Sequence, residues 1–325
     1  MPPHDPSPDH RLPLAKFDLA RQLIDPVFLN SPQYECEALS GALNCQVTLK
    51  AETANPIRSF KGRGADYLVK SMPRGPDPIV SASAGNWGQA LAYSCQNAGQ
   101  KLILFSSVNA NPLKVERMRA LGAEVRLYGG DFDAAKMEAA RFAASCGFRM
   151  VADGLDPEAS IGAGTMAMEL VERAAVFDEV IVPLGNGAML TGMGRWIKAA
   201  SPNTSVIGVQ AKGADAMEKS WRSGQLVFPE RIDTIADGIG TRVPIREAVA
   251  DMKDTVDDVV LVEDETIIKA MQLLFSKAGL VTEPSGAAAI AAILDDKERF
   301  RGRRVATVIC GGNITESQFK TWIMG

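Results

Sequence analysis

The residue best placed for chemistry is Lys61, in the stretch Arg58-Ser59-Phe60-Lys61-Gly62-Arg63-Gly64-Ala65-Asp66-Tyr67. Ala65, Leu68, Val69 and Met72 recur at i, i+3, i+4 and i+7, which predicts an amphipathic helix opening just after the lysine. At the N-terminal edge of that helix the amine meets partial positive charge from the backbone and the cation of Arg63, both of which favour its neutral, nucleophilic form. Taken alone, the stretch also reads as a surface lysine in a loop.

Three further stretches join small residues to the end of an apolar run. Ser81-Ala82-Ser83-Ala84-Gly85-Asn86-Trp87-Gly88 offers hydroxyls and exposed backbone N–H groups that hold a carboxylate, or simply a tight turn into a helix with Ala90, Leu91 and Ser94 inward. Gly185, Asn186, Gly187, Ala188 and Met189 follow the run 180–184 and open a helix, an arrangement that presents N–H groups to a phosphate. No Lys-Ser pair follows, so this is not a P-loop, and 162–167, which fits GxGxxA, is discounted because no apolar strand leads into it. Cys310-Gly311-Gly312-Asn313 ends the run 305–309, where a thiol is either inert core or faces the same cleft as the other two strand ends.

Composition narrows the options. With 39 acidic and 35 basic residues, a net charge of −4 and 46% apolar residues, the 325-residue chain is an ordinary globular protein with no basic surface for nucleic acid. The densest basic cluster, Arg301, Arg303 and Arg304, reads as the solvated edge of the strand it precedes. Residues 1–13 contain five prolines and no apolar run, and nowhere do about 20 apolar residues follow one another, so neither a signal peptide nor a membrane span is expected. Five cysteines without CxxC spacing fit a cytoplasmic location. The two histidines, His4 and His10, lie in the proline-rich tail, where nothing suggests order; Ser-His and Cys-His catalysis and imidazole-dependent zinc sites are thereby set aside. Acid–base work is left to Lys, Asp, Glu, Tyr, Cys or a cofactor.

The elements that must position these groups alternate along the chain. Strands are predicted at 79–80, 101–105, 124–128, 148–151, 179–184, 205–210, 257–262 and 303–309. Helices follow Lys61 and Asn86, run from Asn111-Pro112 to a stop at Gly122, span 131–147, and pass near Met166. Such alternation predicts an α/β fold with parallel sheets, whose functional groups gather at the strand C-terminal ends.

Six motifs then occur in the order found in serine/threonine dehydratases: Ser59-Phe60-Lys61-Gly62-Arg63-Gly64-Ala65, Ser83-Ala84-Gly85-Asn86, Pro183-Leu184-Gly185-Asn186-Gly187, Ala236-Asp237-Gly238, Glu283-Pro284-Ser285-Gly286-Ala287 and Cys310-Gly311-Gly312-Asn313. From about Asn44 to Asn313 the chain resembles these pyridoxal-phosphate enzymes of the two-domain, tryptophan-synthase β-like fold. The resemblance implies a large domain of residues 1–70 and 153–325 and a small one of 71–152. It makes Lys61 the Schiff-base lysine and the base for the α-proton. Ser83, Ala84, Gly85, Asn86 and Trp87 would contact the substrate, with Asn86 also bonding the cofactor's phenolic oxygen. Gly185, Asn186, Gly187, Ala188 and Met189 would bind the phosphate, Phe60 would lie against the ring, Gly238 would contribute backbone contacts, and Cys310 would face the pyridine nitrogen. A neutral thiol there makes a weaker electron sink than a carboxylate partner, favouring β-elimination of water over transamination, with release of a 2-oxo acid and ammonia from a β-hydroxy-α-amino acid.

The chain also departs from the pattern. Trp87 replaces the usual histidine, Asn186-Gly187-Ala188 interrupts the usual glycine run, and Ala84 stands where racemases of this fold carry a serine base. Gln210, Ala214 and Ala216 lack the carboxylates of the relatives' cation site, so no metal is assigned. A threonine synthase-like or cysteine synthase-like β-replacement enzyme, or a catalytically silent pyridoxal-phosphate-binding protein, remain alternatives. A homodimer or higher homo-oligomer acting on a small amino acid is expected, with no regulatory domain after Gly325.

Overall fold

Apolar runs without polar alternation, Val180-Ile181-Val182 and Val305-Ala306-Thr307-Val308-Ile309, form strands buried on both faces, as the middle of a parallel sheet requires. In the computed structural model, which describes every residue except 1, 2, 4, 6, 174 and 175, these runs belong to a six-stranded sheet. Its strands are β1 (Gln33–Glu35), β2 (Gln46–Ala51), β6 (Glu179–Pro183), β7 (Ser205–Ala211), β8 (Asp258–Val262) and β9 (Arg304–Ile309), in the order β1-β2-β9-β6-β7-β8. Only the short edge pair β1–β2 is antiparallel. A second sheet holds β3 (Ile79–Ala82), β4 (Leu102–Ser106) and β5 (Glu124–Leu127), all parallel.

Seven of the eight expected strands are present with their ends moved by one or two residues. The exception is 148–151, which makes only an isolated bridge between Met150 and Val80. Two backbone bonds, Val80 N to Arg149 O and Val151 N to Val80 O, hold it beside β3, too few for a ladder. Strands β1 and β2 are additions to the expected set.

The helix after the lysine spans Lys61–Ser71 and begins at the lysine itself. It is not two-faced, since every residue from 62 to 69 is buried. It is packed between the Pro157–Arg173 and Asn86–Ala98 helices. This packing explains the glycine pattern set aside above: a Cβ on Gly162 would stand 2.6 Å from Gly64 Cα, so these glycines let two helices touch. The remaining helix signals are met, with Asn111 and Asp131 accepting from Leu113 N and Ala134 N, and Gly122 and Gly147 ending their helices at positive φ.

The N-terminal tail corrects another expectation. Leu12 and Leu14 are buried, Arg11 pairs with Asp251 at 2.5 Å, and His10 Nδ1 accepts from Leu12 N. The segment is thus docked on the body, and His10 is outside the lining of the cavity described below. His4 falls outside the described residues.

Candidate active site

Backbone bonds splice the strand ends together before any side chain is considered. Phe60 N donates to Cys310 O and Gly312 N to Arg58 O, so the residue before Lys61 is stitched to the end of β9. Glu283 N donates to Gly311 O, adding the start of the Pro284–Asp295 helix. These segments and the Ser83–Trp87 turn after β3 surround a cavity of about 750 Å³. Phe60, Lys61, Ser83, Ala84, Gly85, Asn86, Trp87, Asn186, Gly238 and Cys310 all line it. Gly185, Gly187, Ala188 and Met189 do not; of the loop after β6, only Asn186 reaches the wall.

Lys61 Nζ lies 4.6 Å from the centroid of the Phe60 ring and 2.5 Å from Asp153 Oδ2. The expected cation beside it is differently employed. Arg63 is fully buried behind the helix, where it donates to Glu52 and Glu169, and Lys50 pairs with the same Glu169 at 2.6 Å. Two cations and two carboxylates cancel there, so Arg63 is no free positive charge acting on Lys61. Burial pushes the Glu169 carboxyl up, but Arg63 and Lys50 outweigh it and hold it at about 2.

The turn after β3 is more self-contained than its sequence suggests. Ser83 Oγ accepts from Gly85 N and Gly88 N, starting the Asn86–Ala98 helix. Trp87 is buried, with its indole N–H donating to Ser81 Oγ. Asn86 Nδ2 donates to Glu283 Oε1 at 2.8 Å, and its Oδ1 accepts from Asn313 Nδ2 at 2.8 Å. Glu283, whose motif carries no assigned role in the sequence, is therefore a central member of the wall. Burial and the nearby charge of Asp237 push its carboxyl up to about 7, against the opposing influence of Lys114 and the hydrogen bonds from Asn313 and Asn86.

Opposite, the Ala188–Ala200 helix opens behind Gly187, whose φ of 99° suits glycine. Asn186 Oδ1 accepts from Ala188 N, so a side-chain turn bond stands where the usual run has glycine. A Cβ on Gly185 would meet Gly238 O at 2.7 Å, so the two loops touch through glycine. Ser285 Oγ, beside Gly238, is buried without a partner among the described residues. Cys310 is buried as well, and burial, with Glu283 adding to it, pushes its thiol well above the ordinary range, so it is a neutral S–H. Gln210, by contrast, is buried away from the cavity lining, its Oε1 accepting from Glu218 N.

The mouth is charged and bridged. Lys114 meets Asp237 at 2.7 Å, and Arg242 pairs with Asp133 on the helix after β5. Both pairs join a residue of the three-stranded-sheet segment to the loop 230–245, and neither is signalled in the sequence.

Residues 24–311 match the family described as pyridoxal-phosphate dependent enzymes. The chain belongs to that family. It is 32% identical over 288 residues to a biosynthetic L-threonine dehydratase of Salmonella typhimurium, covering 87% of this chain and 56% of that protein. The chain thus spans little more than half the length of that relative. A biosynthetic L-threonine dehydratase of Halalkalibacterium halodurans is 31% identical, over 91% of this chain and 72% of the relative. Among solved structures, the processed form of threonine deaminase isoform 2 from Solanum lycopersicum superposes with a TM-score of 0.86 at 28% identity, covering 94% of this chain and 87% of the other. The similarity to serine/threonine dehydratases and the tryptophan-synthase β-like fold are borne out.

The cavity suits the family's cofactor. An amine at Lys61 matches its aldehyde, and Asn186, the one residue of the loop after β6 in the wall, marks the side on which the N-terminus of the Ala188–Ala200 helix would meet its phosphate. The neutral Cys310 thiol and the orphaned Ser285 hydroxyl offer hydrogen bonds to a ring nitrogen and ring substituents. Among the described residues no helix is long and apolar enough to cross a membrane.

Proposed function

We propose that the protein is an ammonia-lyase that removes water from a β-hydroxy-α-amino acid and releases a 2-oxo acid and ammonia. The observation that carries this reading is the meeting of Lys61, Asn86 and Cys310 on one cavity wall, from motifs far apart in sequence. The threonine dehydratases and deaminase among its relatives support it. Bound there, pyridoxal phosphate supplies an electron sink that lets the α C–H bond of an amino acid ionise.

The chain's own groups do the rest. Lys61 Nζ takes the α-proton. The backbone of the turn 83–87 holds the substrate carboxylate, with Ser83 and Asn86 fixing its shape and Ala84 and Trp87 lining it. The 185–189 loop, entering the wall at Asn186 ahead of its helix N-terminus, would hold the phosphate, Phe60 would support the ring, and Gly238 would contribute backbone contacts. The neutral Cys310 thiol would partner the ring nitrogen without adding charge, which would keep the sink weak and favour prompt loss of a β-leaving group. In this reading residues 71–152 form the small domain, carrying the carboxylate turn, and the rest forms the large one; closure of the two excludes water. The protein would work in the cytoplasm as a homo-oligomer; its five cysteines are all free.

The test is a screen of serine, threonine and bulkier β-hydroxy amino acids for 2-oxo acid release. Borohydride reduction of the loaded protein should place a pyridoxyl group on Lys61, and Lys61→Ala should abolish turnover. A label on another lysine would overturn the site assignment.

A further inference from the structure

Asp153 stands two residues beyond the segment that bridges to β3, at the passage from the three-stranded-sheet segment to the larger unit. Its Oδ2 accepts from Lys61 Nζ at 2.5 Å, and its Oδ1 is buried without a partner among the described residues. The two side chains are only 14% and 17% exposed, so the pair is largely sheltered from solvent.

A purely local role for Asp153 does not fit the turn. Asp156 does that work: its Oδ2 accepts from Ala152 N, its Oδ1 pairs with Arg149, and its backbone N–H closes on Ala152 O. Asp153 is Lys61's alone among the described residues. Of the other acidic groups lining the cavity, Glu283 is engaged by Asn86 and Asn313, Asp237 by Lys114, Asp133 by Arg242, and Asp131 as cap of Ala134 N, while Glu230 lines it on the loop 230–245 without bonding Lys61.

We infer that Asp153 is a positioning residue that acts through Lys61, aiming the amine across the cleft and serving as the second half of a proton-transfer pair. The inference rests on the lyase reading above. In that reaction the α C–H bond breaks with its proton going to Lys61 Nζ, and the electron pair released expels the β-hydroxyl. The departing oxygen takes a proton from the Lys61–Asp153 pair and leaves as water, so the pair ends in the protonation state in which it began. A carboxylate fixed by one hydrogen bond on the amine, with a second oxygen free, can accept and return that proton without leaving its place.

The experiment uses full-length Asp153→Asn and Asp153→Glu beside the parent. In cofactor-free protein, the time course of Lys61 acylation by an amine-directed reagent is followed at one fixed pH by peptide mapping. In loaded protein, kcat and KM are measured for the best β-hydroxy amino acid. Freeing the amine from its charge-assisted hydrogen bond should speed acylation of Lys61 in the Asn variant, while the Glu variant stays near the parent. The Asn variant should lose about 10²-fold in kcat with little change in KM, and the Glu variant should recover at least about a tenth of the parent's kcat. A merely structural role would move neither the acylation profile nor the kcat-against-KM split. An Asn variant with the parent's acylation profile and a kcat within about threefold of it would overturn the inference. If the Asn variant does not fold, a Glu variant matching neither the parent's acylation profile nor its kcat to within about a hundredfold does the same. If the parent releases no 2-oxo acid from any substrate, the lyase reading fails instead, and the acylation profiles still decide whether Asp153 governs Lys61.

Discussion

Replacing Arg63 by Met would unmask the charges behind the catalytic helix. Arg63 makes four hydrogen bonds of 2.7 to 3.0 Å to the carboxylates of Glu52 and Glu169, and a fifth to Thr165 Oγ1 at 3.0 Å. Its guanidinium and both carboxylates are essentially inaccessible to water. Removing one partner of such a network strands the other charges, a loss of about 3–5 kcal/mol. The carboxyl of Glu169 gives a second route to the magnitude. Holding it at about 2 instead of its ordinary 4.5 corresponds to on the order of 3 kcal/mol. The folded value is depressed, so this stability is fully present above pH 4.5 and is lost as the pH falls through about 2. Urea unfolding of the cofactor-free protein at pH 7 should therefore show Arg63→Met less stable by about 3–5 kcal/mol. The parent should lose stability between pH 4.5 and about pH 2 more steeply than the variant. Adding Glu52→Gln to Arg63→Met should recover part of the loss, because the stranded charge is removed. A single variant destabilised by less than about 1 kcal/mol would refute the argument that these four charges compensate one another.

The other predictions concern the cavity wall. Glu283 has a raised carboxyl, so its ionisation costs stability as pH rises from 4.5 through about 7; Glu283→Gln should flatten the pH dependence of unfolding across that window, and an unchanged profile would show that the group is not buried in its acid form. Cys310→Ser keeps a neutral partner at the ring nitrogen and should retain much of the elimination. Cys310→Asp should give a long-wavelength absorbance band or a transamination product at the expense of elimination, because a carboxylate favours protonation of that nitrogen; if it holds cofactor yet matches the parent in spectrum and products, Cys310 is not the ring's partner.

What was legible in the sequence follows from which interactions are local. The βα units announced themselves because burying both faces of a central strand forces a continuous apolar run, as in Val180-Ile181-Val182, and because caps such as Asn111 and Asp131 act on residues two or three positions away. Strand β2 escaped notice although Val47 and Leu49 alternate, because Lys50 and Glu52 look like solvent-facing charges and are instead buried by a network that only the fold assembles. Segment 148–151 failed in the opposite sense. Its composition suits a strand, yet only Met150 pairs, and strand formation needs a partner along its length.

The site divides along the same line. Motifs supplied Lys61, Asn86, Asn186 and Cys310, since each sits on a turn whose shape its own neighbours dictate. The groups that hold them are separated by long stretches of chain: Asn86 and Glu283 by 197 residues, Lys61 and Asp153 by 92, and Lys114 and Asp237 by 123. No spacing rule reaches that far. One signal was nevertheless available for Asp153. In a parallel α/β fold functional groups lie past strand C-terminal ends, and Val151-Ala152-Asp153-Gly154 ends such a run. The Asp-Gly pair reads as a turn, and turn chemistry here is supplied by Asp156 and by Gly154, whose φ is 80°. That leaves the Asp153 carboxylate without local employment. A polar residue with no local partner at a strand end is one whose partner must come from across the cleft, and here that partner is the amine of Lys61.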